Sequence, residues 1–260
     1  MELNNGYGTI KITKIKQGTL VTLNRPEHRN TIIMQLIEEV HDLLDRLEED
    51  SSCRVVVFQG ENGVFCTGMD FQELIFGQSP DTQKIFSSGY MSLIKRFTTS
   101  SKVIISLLDG EVLAGGVGIV AASDIVISTK NTNFCLSEPL WGLLPACVIP
   151  FLIRRVGFQK TYYMTLTTRS IHAEQAYEMG LIDELTDNLG DNLRCLLLRF
   201  NRISEETIFD LKAYFRKMWL LTEDMENTAV QEITRLMGKT KVREDIKCFL
   251  EQQKFPWESV

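Results

Sequence analysis

An α/β core followed by an all-helical carboxy-terminal segment is the fold class that the sequence predicts. Three observations predict it. Apolar runs of strand length alternate with helical spacing over the first half of the chain; a glycine-rich turn at 109–118 joins an apolar run to a small-residue helix; and residues 204–251 carry helical spacing with no strand pattern.

Thr9 to Ile15 alternates apolar and polar residues, Gly18 interrupts, and Thr19 to Leu23 resumes with β-formers, which predicts an opening hairpin. Asn24 to Asn30 is a loop. From Thr31, the residues Ile32, Ile33, Leu36, Ile37, Val40, Leu43, Leu44 and Leu47 recur at helical spacing with charges opposite. Arg54 to Gln59 holds three valines and a phenylalanine, the pattern of a strand buried on both faces, and Gly60 to Gly63 closes it. Strand, helix, strand implies parallel pairing with a right-handed crossover.

Val64 to Glu73 runs through Gly68 to the carboxylate of Asp70 and a helix start. Ile75 to Thr99 is helical in part but interrupted by Gly77, Ser79, Pro80 and Ser87-Ser88-Gly89, which reads as a mobile lid between two strands. Val103 to Leu108 is a strand leading into the glycine turn and its buried helix. Short strands are predicted at Ile125 to Ser128 and Asn133 to Leu136. Helices follow at Pro145 to Arg155, with Pro150 internal, at Gln159 to Thr167 and at Ala173 to Met179, the last ended by Gly180. Three more helices span Ser204 to Trp219, Thr222 to Met237 and Val242 to Glu251, where Trp219, Met225 and Met237 either cover the core or face another subunit.

The chain of 260 residues is long enough for a sizeable core without disulfides or metals. Its net charge of −6 comes with dispersed lysines and arginines, so no nucleic-acid footprint is expected. Six scattered cysteines without a C-x-x-C pair and three histidines without ligand spacing predict reduced thiols and no metal centre. A polar amino terminus and no membrane-length apolar run predict a soluble cytoplasmic protein with no membrane partner.

The first turn of a helix leaves backbone N–H groups unpaired at its positive end, and glycine lets a ligand oxygen come close to them. By itself, the run at Gly115 to Gly118 fits a tight packing turn equally well. A dinucleotide fingerprint is a weaker reading, because no acidic residue ends a following Rossmann strand. Two such turns, around Gly68 and Gly115, would converge two N–H groups on one oxygen if their strands lay side by side.

Asn24-Arg25-Pro26 with Asn30, Phe65 to Asp70, Gly110 to Asp124, Asn133 to Pro145 and Ala176 to Asp183 occur in the order found in the crotonase (enoyl-CoA hydratase/isomerase) superfamily, which the chain resembles from about residue 9 to 190. The resemblance implies a spiral of ββα repeats over residues 1–195 and a helical module over 196–260 for cover or trimerisation. It implies a homotrimer or hexamer, and thioester substrates carried on phosphopantetheine with no other cofactor. By matching positions, the backbone N–H groups of Met69 and Gly115 form the oxyanion hole. Glu138 falls at the second of the two catalytic glutamates of the hydratases, and Gly118 at the first, so two-glutamate hydration is not expected.

Phe65 to Glu73, Leu136-Ser137-Glu138, Gly142 to Arg155, Tyr163 to Leu166 and Phe255 to Glu258 are similar to the first crotonase of polyketide β-branching cassettes. That similarity implies a hydro-lyase dehydrating 3-hydroxy-3-methylglutaryl-acyl carrier protein to 3-methylglutaconyl-acyl carrier protein, with Glu138 expected as the main acid/base, for one or both of the proton transfers. Rival readings are the methylglutaconyl decarboxylase, an enoyl-CoA hydratase/isomerase, and a non-catalytic carrier-protein scaffold. Asp70 is a helix cap or a second acid/base, and Glu73 a further catalytic candidate or a capping or solvated residue. Tyr90 binds the leaving hydroxyl or packs. Lys84, Lys95 and Arg96 are candidates for the substrate carboxylate or form a solvated face, while His28 and Arg29 are candidates for a phosphate.

Overall fold

Two sheets carry the architecture. The computed structural model describes residues 6–75, 79–219 and 221–258. The opening hairpin forms as expected from β1 (Ile10–Ile15) and β2 (Gly18–Leu23), with Ile10 opposite Leu23. Helix α1 (Met34–Glu49) buries Leu36, Ile37, Val40, Leu43, Leu44 and Leu47 on one stripe. It starts later than its apolar periodicity suggests, because Ile32 is claimed by a parallel bridge to Met69.

After the hairpin the chain repeats a strand–strand–helix unit. The pairs are β3 (Val55–Gln59) with β4 (Val64–Cys66), β5 (Val103–Leu108) with β6 (Glu111–Leu113), and β7 (Ile125–Ser128) with β8 (Asn133–Cys135). The first strand of each pair enters a six-stranded sheet and the second enters a four-stranded sheet. Their orders are β1-β2-β3-β5-β7-β10 and β4-β6-β8-β9, where β9 is Ile171–His172 and β10 is Glu184–Leu185. Pairing is parallel except at β1–β2 and β8–β9. The valines of β3 and all of β5 are buried on both faces, as their unbroken apolar composition requires.

The expected lid is instead two helices, α2 (Phe71–Ile75) and α3 (Pro80–Thr99). Gly77 lies outside the described residues. Ser79 and Pro80 start α3 rather than break it, since the Ser79 hydroxyl accepts from Thr82 N–H and Pro80 sits in the first turn. The helix continues through Ser87-Ser88-Gly89, with Ser87 buried and the Gly89 backbone against Met34 and Ile37. Helix α4 (Gly115–Ala122) is buried along its whole length. In α5 (Ile149–Val156), Pro150 occupies the first turn and is not internal.

Helices α6 (Phe158–Thr167) and α7 (Ala173–Met179) lead to the carboxy-terminal helices α8 (Leu189–Phe200), α9 (Glu205–Met218), α10 (Glu223–Met237) and α11 (Thr240–Gln252). Ser204 and Thr222 cap α9 and α10 with their hydroxyls. Residue 195 falls inside α8. Met237 is buried, Trp219 packs 5.4 Å from Phe151 between ring centres, and Met225 stays exposed. No helix among the described residues is long and apolar enough to cross a membrane.

Candidate active site

Strands β4 and β6 are parallel neighbours, with Val64 opposite Glu111 and Cys66 opposite Val112, so the turns that follow them emerge side by side. In the first turn Ile32 N–H donates to Gly68 O at 2.8 Å and Asp70 N–H donates to Ile32 O at 3.0 Å. Alternation along an extended strand then turns the N–H of Met69 away from Ile32. In the second turn Gly115 begins α4, where its N–H lacks an intrahelical acceptor. Gly68 has φ of +92°, and a Cβ there would meet the Ala114 Cβ at 2.6 Å and the Gly115 N at 3.1 Å. The turns touch because residue 68 has no side chain.

Met69 and Gly115 line one cavity of about 350 Å³, and Glu138 faces the same space. Glu138 opens a short 3₁₀ turn (Glu138–Trp141) after β8. The residue keeps some exposed surface, but its Oε2 is shut off from water and has no hydrogen-bond partner among the described residues. Burial pushes its pKa up to about 7. Among the described residues this carboxyl is neither a helix cap nor half of an ion pair. It can hold a proton or release one near neutrality.

Tyr90 also reaches the cavity, although it is a core residue of α3 rather than part of a lid. Its hydroxyl donates to Gly115 O at 2.5 Å, and burial raises its pKa well above the usual phenol value. Asp70 lines the cavity with its carboxylate already engaged. Its Oδ1 accepts from Gln72 N–H at 2.9 Å, as a cap does, while its Oδ2 accepts from Thr31 Oγ1 at 2.8 Å and pairs with Arg25 at 3.4 Å. Glu73 caps a different helix from its own, accepting from Met34 N–H of α1 at 3.0 Å.

The expected cations for a substrate carboxylate are elsewhere. Lys95 pairs with Glu226 at 2.7 Å, Arg96 with Asp45 at 2.6 Å, and Lys84 is exposed; none lines the cavity. The face of α3 that carries Lys95 and Arg96 is turned to α10 and α1, while Tyr90 faces α4. His28 and Arg29 do line the cavity, in a loop tied down by buried Asn30, whose side chain accepts from Arg25 N–H at 2.9 Å and donates to Val64 O at 3.1 Å. Arg29 pairs with Glu111.

The wall opposite the glycine turns was not visible from motifs. Ile233 and Met237 of α10 and Phe249 and Leu250 of α11 close the cavity beside Trp141. The Trp141 ring meets Phe71 at 5.1 Å and Phe249 at 5.0 Å, both edge-on. The only sequence signal for this wall is helical spacing, which an ordinary core helix shares. Cys147 lines the cavity too, its thiol pushed up to about 12 by burial and therefore protonated.

The chain is similar to known proteins over nearly its whole length. The family model described as Enoyl-CoA hydratase/isomerase matches residues 15–260. Over 254 residues the chain is 39% identical to the Bacillaene synthase dehydratase PksH of Bacillus subtilis (strain 168), covering 97% of each chain. The crystal structure of a polyketide biosynthesis enoyl-CoA hydratase from Bacillus subtilis superposes with a TM-score of 0.88 at 36% identity, over 96% of this chain and 100% of that one. An enoyl-CoA hydratase from Mycobacterium avium gives a TM-score of 0.85 at 26% identity, over 96% and 99%.

Proposed function

The chain belongs to the enoyl-CoA hydratase/isomerase family, has the crotonase fold and is a hydro-lyase, and we propose that it dehydrates 3-hydroxy-3-methylglutaryl-acyl carrier protein to 3-methylglutaconyl-acyl carrier protein in polyketide β-branching. The observation that carries this reading is the Glu138 carboxyl, whose Oε2 is buried with no hydrogen-bond partner among the described residues, in the cavity shared with the turns of Met69 and Gly115. Its similarity to a protein named a dehydratase of bacillaene synthase supports the substrate class.

In the proposed mechanism the Glu138 carboxylate takes the proton from C2, beside the thioester. The C2 electron pair moves onto the thioester oxygen, which the N–H groups of Met69 and Gly115 stabilise as an enolate. The enolate reforms the carbonyl, C2=C3 forms, and the C3–O bond breaks. Glu138, now protonated, passes its proton to the departing hydroxide, which leaves as water. A group with pKa about 7 serves both transfers with little mismatch at neutral pH. The phosphopantetheine that carries the acyl group is the only cofactor the scheme uses.

Residues 1–195 are proposed as the catalytic core and 196–260 as its cover and assembly module, an arrangement supported by the contribution of α10 and α11 to the cavity wall. Exposed Phe158, Tyr162 and Leu166 on α6 and Tyr214, Phe215 and Met218 on α9 support a homotrimer or hexamer. Six unpaired cysteines suit the proposed cytoplasmic location. The test is to incubate the protein with 3-hydroxy-3-methylglutaryl-carrier protein and weigh the acyl group. Loss of water is the expected result. No loss, or loss of carbon dioxide from the glutaconyl form, refutes the assignment, and tight carrier binding without turnover points to a scaffold.

A further inference from the structure

The surroundings of Gly118 reveal what occupies the volume of the missing carboxylate. A Cβ built on Gly118 would lie 2.1 Å from Tyr90 Oη, 3.3 Å from Tyr90 Cζ and 3.0 Å from Val148 Cγ2. Tyr90 is fully buried, with its hydroxyl bonded to Gly115 O. A side chain at position 118 and the phenol at position 90 therefore exclude one another.

The bond partner of that phenol is informative. Gly115 supplies an N–H of the oxyanion hole, and it is followed by Gly116, so the first turn of α4 is built from the softest backbone available. A donor displaced by about 1 Å loses much of its effect on a reaction that needs it, a loss of up to about 100-fold. Burial keeps the phenol protonated and hence a donor to the residue 115 carbonyl. We propose that Tyr90 is a positioning residue of the oxyanion hole. Gly118 admits its hydroxyl to the first turn of α4, where it pins residue 115 and bars a second carboxylate from the site. The inference rests on the reading of Met69 and Gly115 as oxyanion donors.

The test uses Tyr90→Phe, Gly118→Ala and the double variant of the full chain, with two readouts. One is dehydration kinetics. The other is the near-ultraviolet absorbance of the enolate formed when acetoacetyl-CoA binds, which reports donor geometry without turnover. Tyr90→Phe is expected to lower kcat about 10-fold with KM within about 2-fold, to weaken the enolate band, and to leave the midpoint of the pH profile in place. Gly118→Ala should do the same, because its methyl group expels the hydroxyl. The double variant should be close to Tyr90→Phe alone, since loss of the hydroxyl removes the 2.1 Å clash and leaves contacts of 3.3 Å to the ring and 3.0 Å to Val148 Cγ2 that shifts of a few tenths of an ångström relieve.

A merely structural tyrosine would lower the melting temperature and leave kcat and the enolate band untouched, which overturns the inference alone. Independent, multiplying effects of the two single variants overturn it as well. No enolate band on the wild type overturns the oxyanion-hole reading and this inference together.

Discussion

Replacing Glu138 by Gln removes a carboxyl that titrates far above its ordinary range while keeping its shape. Burial raises this pKa from 4.5 to about 7. Between those values the folded chain keeps a proton that the unfolded chain has released, so the unfolded state binds fewer protons and stability falls as pH rises. At roughly 1.4 kcal/mol per unit, the full penalty above pH 7 is about 3 kcal/mol, of which about 2 to 3 accrue between about pH 5 and pH 8. Glutamine does not titrate and escapes it. Urea denaturation of both proteins at equal concentration should show Glu138→Gln gaining on the wild type by that amount from about pH 5 to pH 8. A stability difference independent of pH would refute the account of Glu138 as an unpaired buried acid.

The same carboxyl should govern the rate. Dehydration kcat/KM is expected to rise through about pH 7 to a plateau as the base form accumulates, and Glu138→Gln should lose about 10²- to 10⁴-fold in kcat. Gly68→Ala should cost about 1 to 3 kcal/mol in a thermal melt and collapse kcat, because its Cβ would press the two turns apart at 2.6 Å from Ala114 Cβ. Lys95→Ala and Arg96→Ala should each leave KM within about 2-fold, as rim substitutions do, since both cations are paired away from the cavity. A larger rise in KM would return them to the substrate. Glu73→Ala should lower stability by about 1 kcal/mol through the lost cap on α1, with kcat unchanged in a steady-state assay.

Much of the scaffold was legible locally. The hairpin, the apolar stripe of α1, the twice-buried strands β3 and β5, and the Ser204 and Thr222 caps follow from periods and end signals contained in a few neighbouring residues. Strands β6, β9 and β10 did not, because two or three residues cannot display a period of two and nothing beside them marks a strand. Breaker residues misled at Ser87-Ser88-Gly89, where packing of α3 on α1 outweighs weak helix propensity.

Sequence alone determined the candidates proposed for the chemistry: the two glycine turns, Glu138, and a glycine at 118 where the family resemblance leads one to expect an acid. Tertiary structure decided how they meet. Tyr90 reaches Gly115 across 25 residues, Lys95 is taken by Glu226 across 131, and the wall of the cavity comes from helices at the far end of the chain. Local order is set by neighbours along the chain, whereas the face that a helix offers to a site is chosen by whatever packs against it. The raised pKa of Glu138 belongs to the second kind, because it comes from burial that distant segments complete.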